Sequence, residues 1–223
     1  MSSSSRDVLA RLDPQVPDRV IARLSAGPPE VVPAARAATV VLLRDSPLQT
    51  YLLHRHDRMP FAAGMVVFPG GRVDPDDHRG DSTAQVLRRC AVRELAEETG
   101  VRLPPEDLLP WAHWITPEHE PRRYDTYFYL GVLPVGQRAA NISGEADRAH
   151  WSRPAEALLA ADRGELALMP PTRSVLLELA DHAGVEALIS AATGRRVEPV
   201  LPRPVERNGG WIFDYGLGEG DRR

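Results

Sequence analysis

The chain has 223 residues, 43% hydrophobic and 26% charged, with a formal net charge of −4. That size and balance fit one soluble globular domain with additions, and a pI near 6.0 leaves no electrostatic footprint for nucleic acid. The single cysteine, Cys90, excludes an intrachain disulfide and argues against a cysteine-based zinc site.

In chain order, residues 2–5 read as a frayed tail. Residues 7–24 carry a mixed helical pattern that stops at the breaker Gly27-Pro28-Pro29. Two strands are expected at residues 38–43 and 49–53, turned by Asp45-Ser46-Pro47, and a third at residues 65–68, closed by Pro69-Gly70-Gly71. A loop rich in Asp, Pro and Gly leads to a helix over about residues 84–99. Further strands follow at 111–116, 124–133 and around Trp151, then helices at 154–161 and 172–192. Strands and helices interleave without a strict βαβ rhythm, which predicts a mixed sheet with helices on both faces. No apolar run approaches a membrane span and Met1–Ser5 lacks the apolar stretch of a secretory signal, so a cytoplasmic location with no membrane partner is expected. All 27 basic residues are arginines, which excludes lysine Schiff-base chemistry and a Walker-type phosphate loop. Any phosphate must then be held by arginine, backbone N–H groups or metal.

The stretch RELAEETGV, residues 93–101, sets Glu94, Glu97 and Glu98 at i, i+3 and i+4, on one side of a helix. Leu87, Cys90 and Ala91 lie on the same stripe, so an apolar face ends in three carboxylates. A solvated acidic face, with Arg93 paired to Glu97, is the ordinary reading of such a run. The apolar lead-in and the helix stop at Gly100 favour a hard divalent cation, Mg²⁺ or Mn²⁺, among the carboxylates.

Phe68-Pro69-Gly70-Gly71-Arg72 followed by Arg93-Glu94-Leu95-Ala96-Glu97-Glu98-Thr99-Gly100-Val101 resembles the Nudix hydrolase signature. The resemblance implies an α/β/α sandwich with a mixed β-sheet and the hydrolysis of a nucleoside diphosphate linked to another group. It implies Glu94, Glu97 and Glu98 as metal ligands with the Gly70 carbonyl, and Arg93 among the catalytic groups. The usual signature has one more glutamate, six residues after the second glycine and eight before the arginine. Here the loop is about eight residues longer, and the two counts point to Asp77 and Gln85. Gln85 cannot supply an anionic partner for Arg93; Asp77 or Asp81 is left to fold back. Glu145, shortly before Trp151, is the remote general-base candidate, against a plain surface acid; Asp147 is the spare.

The flanks FAAGMVVFPGGRVDPDD and WITPEHEPRRYDT resemble a Nudix branch that includes peroxisomal coenzyme A diphosphatases. Arg72, Arg122 and Arg123 are the substrate-binding candidates, and the last two suit bidentate grip of the 3′-phosphate of coenzyme A. A surface ion pair with Glu118, Glu120 or Asp125 is the plainer use of that arginine pair. The favoured substrate is coenzyme A or an acyl-CoA. The alternatives are ADP-ribose or NADH and, from another class, a catalytically silent binding module. The expected partner is a small nucleoside diphosphate derivative, with a homodimer suggested by resemblance. The expected organisation is an N-terminal extension over residues 1–34, a core over 35–165, and a helical extension over 166–223 packing on that core.

Overall fold

A computed structural model describes residues 5–27, 30–45, 47–58, 62–78, 82–144 and 146–216. The N-terminal helical pattern resolves into two short helices, α1 (Ser5–Leu9) and α2 (Asp18–Ser25), because Pro14 and Pro17 interrupt it. The sheet then opens with β1 (Ala35–Arg44) and β2 (Gln49–Arg55). Residues 66–72, expected as one strand and a turn, form two strand pieces, β3 (Val66–Val67) and β4 (Gly70–Arg72). After a single 3₁₀ turn at Pro75–Asp77 comes the long helix α3 (Thr83–Thr99). β5 (Leu109–Ile115), β6 (Tyr124–Val132) and β7 (Ala146–Ser152) follow, and β7 is much longer than its sequence Ala-Asp-Arg-Ala-His-Trp-Ser advertises.

The helices α4 (Pro154–Asp162), α5 (Pro170–Ala180) and α6 (Val185–Ala192) come next. The expected 172–192 helix is thus broken at residues 181–184, and Asp45 accepts the freed Val185 N–H at 3.1 Å. The segment beyond 165, read as helical, also carries strands. β8 (Pro199–Val200) joins the sheet edge beside β5, and β9 (Arg203–Arg207) pairs with β10 (Gly210–Asp214) in a separate ribbon.

The main sheet is mixed, in the order β3-β2-β1-β6-β5-β8, with β4 on β1 and β7 on β2. β1 lies parallel to β6 along nearly its whole length, from Ala35 opposite Tyr124 to Leu43 opposite Val132. Its other edge is shared: β4 pairs antiparallel at Ala37–Thr39, and β2 only at Leu43 and Arg44. The Val66–Arg72 segment therefore crosses from β2, where β3 pairs, to β1, where β4 pairs.

Alternation along β1 sends Ala38, Val40 and Leu42 to one face, packed on Leu87, Cys90, Ala91 and Leu95 of α3. Val41 and Leu43 face the other way, onto a cluster that includes Val8 and Leu12 from the N-terminal segment and Val175, Leu176 and Leu188 from α5 and α6. Helices thus cover both faces, an α/β/α sandwich. The ends of the chain are tied together: the Phe213 N–H donates to the Pro14 carbonyl at 2.6 Å, and the Tyr215 hydroxyl to Asp13 O at 3.2 Å. Among the described residues no helix is long and apolar enough to cross a membrane.

Candidate active site

α3 carries the site, and its ends are set by local chemistry. Ser82 N–H donates to Gln85 Oε1 at 3.0 Å in a capping box, so Gln85 starts the helix instead of joining the site. The helix stops at Gly100, which sits at φ 75° and donates its N–H to Ala96 O. Between these ends, Val86, Leu87, Cys90, Ala91 and Leu95 are buried, and Glu98 is buried with them at 5% exposure. Burial pushes the Cys90 thiol up to about 12, which leaves it a small apolar residue.

The acids at the end of the stripe meet the glycine segment. The Gly70 N–H donates to Glu98 Oε2 at 2.8 Å. That N–H points away from Thr39, its partner on β1, and ladder residues turn both backbone groups the same way, so the Gly70 carbonyl also faces away from β1. A Cβ on Gly71 would stand 2.3 Å from Glu94 Oε1, so only glycine lets this carboxylate lie against the strand. A Cβ on Gly70 would meet Ala38 O at 2.5 Å.

Arg93 organises the remaining acids. Its Nε and Nη2 donate to the two carboxylate oxygens of Asp77 at 3.1 and 2.9 Å. Its Nη1 donates to Glu94 at 3.0 Å and Glu97 at 3.1 Å, and Nη2 also reaches the Arg72 carbonyl at 3.0 Å. Asp77 is 3% exposed, and its Oδ2 also accepts the Asp74 N–H at 2.8 Å. Burial alone would raise the Asp77 pKa; the hydrogen bonds from Arg93 and Asp74 outweigh it and hold the carboxyl below its usual range. The bonds to Asp77 first, then the charge and hydrogen bond of Glu94, outweigh burial and raise the Arg93 pKa further. Of the two acids left open by the sequence, Asp77 therefore meets Arg93. Asp81 lies outside the described residues.

Glu145 also lies outside them, but its neighbours are described. The Ile142 N–H donates to the Glu98 carbonyl at 3.2 Å, and Ala146 pairs with Arg55 in β7. Of the described residues on either side, Ile142 thus meets the end of α3 and Ala146 opens β7. The spare acid Asp147 lies 3.4 Å from His56 Nε2.

The arginines differ in use. Arg72 and Arg122 are exposed. Arg123 is 8% exposed, with Nε on Thr116 O at 3.0 Å and Nη1 on Val32 O at 2.8 Å, so its fork clamps the chain entering β1. The sequence held no signal for this, because Val32 is distant in the chain.

The donor set fits a hard cation: three carboxylates and an outward backbone carbonyl, all oxygen, over a strand with no side chain in the way. Among the described residues no three acidic, histidine or cysteine side chains are already placed to hold a metal ion together. Glu94 and Glu97 instead share Arg93, and Glu98 rests on Gly70 N–H.

Comparison with known proteins agrees with this fold. The NUDIX domain family model matches residues 33–170. A Caenorhabditis elegans protein that carries the name nudix hydrolase 7 is 26% identical over 209 residues, covering 78% of this chain and 69% of that one. The crystal structure of a NUDIX hydrolase from Alicyclobacillus acidocaldarius superposes with a TM-score of 0.64 at 25% identity, covering 74% of this chain and 97% of that one.

Proposed function

Because the chain belongs to the NUDIX domain family and is a hydrolase of that family, we propose that it cleaves the diphosphate linkage of coenzyme A or an acyl-CoA, using Mg²⁺ or Mn²⁺. The observation that carries the hydrolytic part is the Arg93 hub, which holds Glu94 and Glu97 on one side and is itself fixed by buried Asp77.

Glu94, Glu97, Glu98 and the Gly70 carbonyl would hold the cation. When bound, it would supply the charge that neutralises diphosphate oxygens and activates a water. The protein's own groups set the geometry around it. Asp77 orients the guanidinium so that it also reaches the Arg72 carbonyl, and Arg93 in turn fixes the rotamers of two acids. The Gly70 N–H holds Glu98 in place, and the missing Cβ of Gly71 leaves room for Glu94. Glu145, on the segment leading into β7, is assigned the role of general base that takes the proton of the water.

The coenzyme A assignment rests on the two flanking stretches and on Arg122, which is exposed beside β6. Arg72, at the end of β4, is assigned to the diphosphate. One observation favours the second reading, ADP-ribose or NADH: the Arg123 fork is already engaged by two carbonyls, so only one arginine of the pair is open to a 3′-phosphate.

The deciding experiment offers coenzyme A, dephospho-coenzyme A, ADP-ribose and NADH with each metal and identifies products by mass spectrometry. Under the coenzyme A reading, Arg122→Gln lowers kcat/KM on coenzyme A by about ten- to a hundredfold and leaves dephospho-coenzyme A nearly unchanged. Equal losses on both, or far better cleavage of ADP-ribose by the wild type, move the assignment to the second reading.

A further inference from the structure

Within residues 74–78 of the loop before α3, only Asp77 is buried. Asp74, Pro75, Asp76 and His78 around it are exposed. Every polar atom of Asp77 is engaged. Its carboxylate takes Arg93 and the Asp74 N–H, and its own N–H donates to the Asp74 carbonyl at 3.0 Å. Its carbonyl accepts from Arg89 Nε at 2.8 Å.

Arg89 and Arg93 stand four residues apart on α3, on one side of the helix. Like charges at that spacing are unfavourable unless they share an anion, and both meet Asp77. Arg88, one residue earlier, serves another turn: its Nη1 donates to the Pro105 carbonyl at 3.2 Å and the Leu108 carbonyl at 2.7 Å. The aspartate side chain is short, so its carboxylate reaches Arg93 only when the main chain comes close to α3. That approach takes the Asp77 carbonyl out of water, where a missing donor is costly. Arg89 supplies the donor.

We propose that Arg89 is a positioning residue for the hydrolytic site, an inference that rests on the hydrolase reading above. By holding the Asp77 carbonyl, it sets the main chain at the distance from which a short acid can orient Arg93. Its effect passes through Asp77 and Arg93 to Glu94 and Glu97.

The test compares Arg89→Gln with Arg88→Gln in the full chain, since each removes an arginine that ties α3 to main-chain carbonyls. In the metal-free protein, amide hydrogen exchange over residues 73–78 should be at least about fivefold faster in Arg89→Gln and unchanged in Arg88→Gln. The Asp74, Asp77 and His78 N–H bonds of that turn are the ones released. On the preferred substrate, Arg89→Gln should lower kcat about tenfold with KM within about twofold, and Arg88→Gln should keep kcat within about twofold. The Mg²⁺ concentration for half-maximal rate should rise in Arg89→Gln alone. Asp77→Glu tests the distance itself. Alone it should lower kcat about tenfold, yet combined with Arg89→Gln it should cause no further loss, where independent losses would multiply to about a hundredfold. Arg89→Lys keeps the charge without the Nε donor, should shift exchange and kcat in the same direction, and serves if Arg89→Gln does not fold. Unchanged exchange and kcat in Arg89→Gln, or multiplied losses in the double variant, would overturn the proposal. Faster exchange in Arg89→Gln, with a wild type that hydrolyses none of the four substrates, would keep the hold on Asp77 and strike the hydrolase reading.

Discussion

Asp77 shows how much can rest on one side chain. It is buried, accepts two hydrogen bonds from Arg93 and one from the Asp74 N–H, and so fixes the group that positions Glu94 and Glu97. Asp77→Ala leaves Arg93 Nε without its acceptor while Glu94, Glu97 and the Arg72 carbonyl still hold the guanidinium; breaking a buried pair outright costs about 3–5 kcal/mol, and because Arg93 keeps those partners and 23% exposure we expect ~1–3 kcal/mol by urea denaturation. The Asp77 pKa is lowered on folding, so its contribution is complete above the unfolded value near 4 and disappears as pH falls through the lower folded value. The stability of the alanine variant should therefore vary less with pH below about 4 than that of the wild type. The metal assignment makes a separate demand on the neighbouring acids. Glu97→Gln and Glu98→Gln should each lower turnover by about a hundredfold with the fold retained by circular dichroism. Near-wild-type turnover of both at saturating Mg²⁺ would remove the assignment. At this scale the sequence was legible where spacing is local: the i, i+3, i+4 acids and the count from Gly71 to Asp77 needed no tertiary information. Arg123 was not legible, because two carbonyls from other parts of the chain decide its role.

Among the elements, the Val66–Arg72 segment and α3 work as one unit, since glycine backbone on one meets carboxylate on the other. Gly71→Ala tests that junction. The new Cβ overlaps the Glu94 carboxylate, whose side chain can rotate away, so the fold should survive while Glu94 loses its place. We expect at least about a tenfold fall in kcat with a melting temperature within a few degrees of wild type, read by steady-state kinetics and calorimetry. An unchanged kcat would show that Glu94 need not lie on the strand. α3 itself was readable, with its Ser82–Gln85 cap, apolar stripe and Gly100 stop all written locally. The split of β3 from β4 was not, since it arises from two different partner strands. The short prolines-and-loops stretch between α1 and α2 hid two helices behind one averaged pattern, and β7 lacks the alternation that marks a strand.

The fold as a whole keeps two buried histidines, His54 and His119, and the partly buried His150 neutral near pH 7. Burial is the leading cause of lowered pKa values at His54, His119 and His150, and His54 falls to about 4. The unfolded chain takes up these protons first, near pH 6.5, so stability should decline from there down toward the folded values. A melting temperature followed from pH 7 to 4 should fall steadily, and His54→Gln with His119→Gln should flatten that slope. A wild-type profile flat across this range would contradict the buried neutral state. Sequence alone marked none of them, because the burial comes from β7 packing on β2 and from the C-terminal ribbon, whose Phe213 stacks on His119.

The long parallel pairing of β1 with β6 also imposes an order in time. β1 and α3 leave the ribosome before the strand that completes the sheet beneath that helix, because residue 35 pairs with residue 124. A parallel contact of such sequence separation closes slowly. The glycine strand meets β1 and α3 across shorter separations, so the acid stripe and β4 are expected to come together first and β6 to complete the sheet beneath them afterwards. In stopped-flow refolding, recovery of activity should lag the far-ultraviolet helix signal, and a Val40→Ala substitution beneath α3 should lengthen that lag. Coincident traces would mean that helix, strand and β6 assemble in one step.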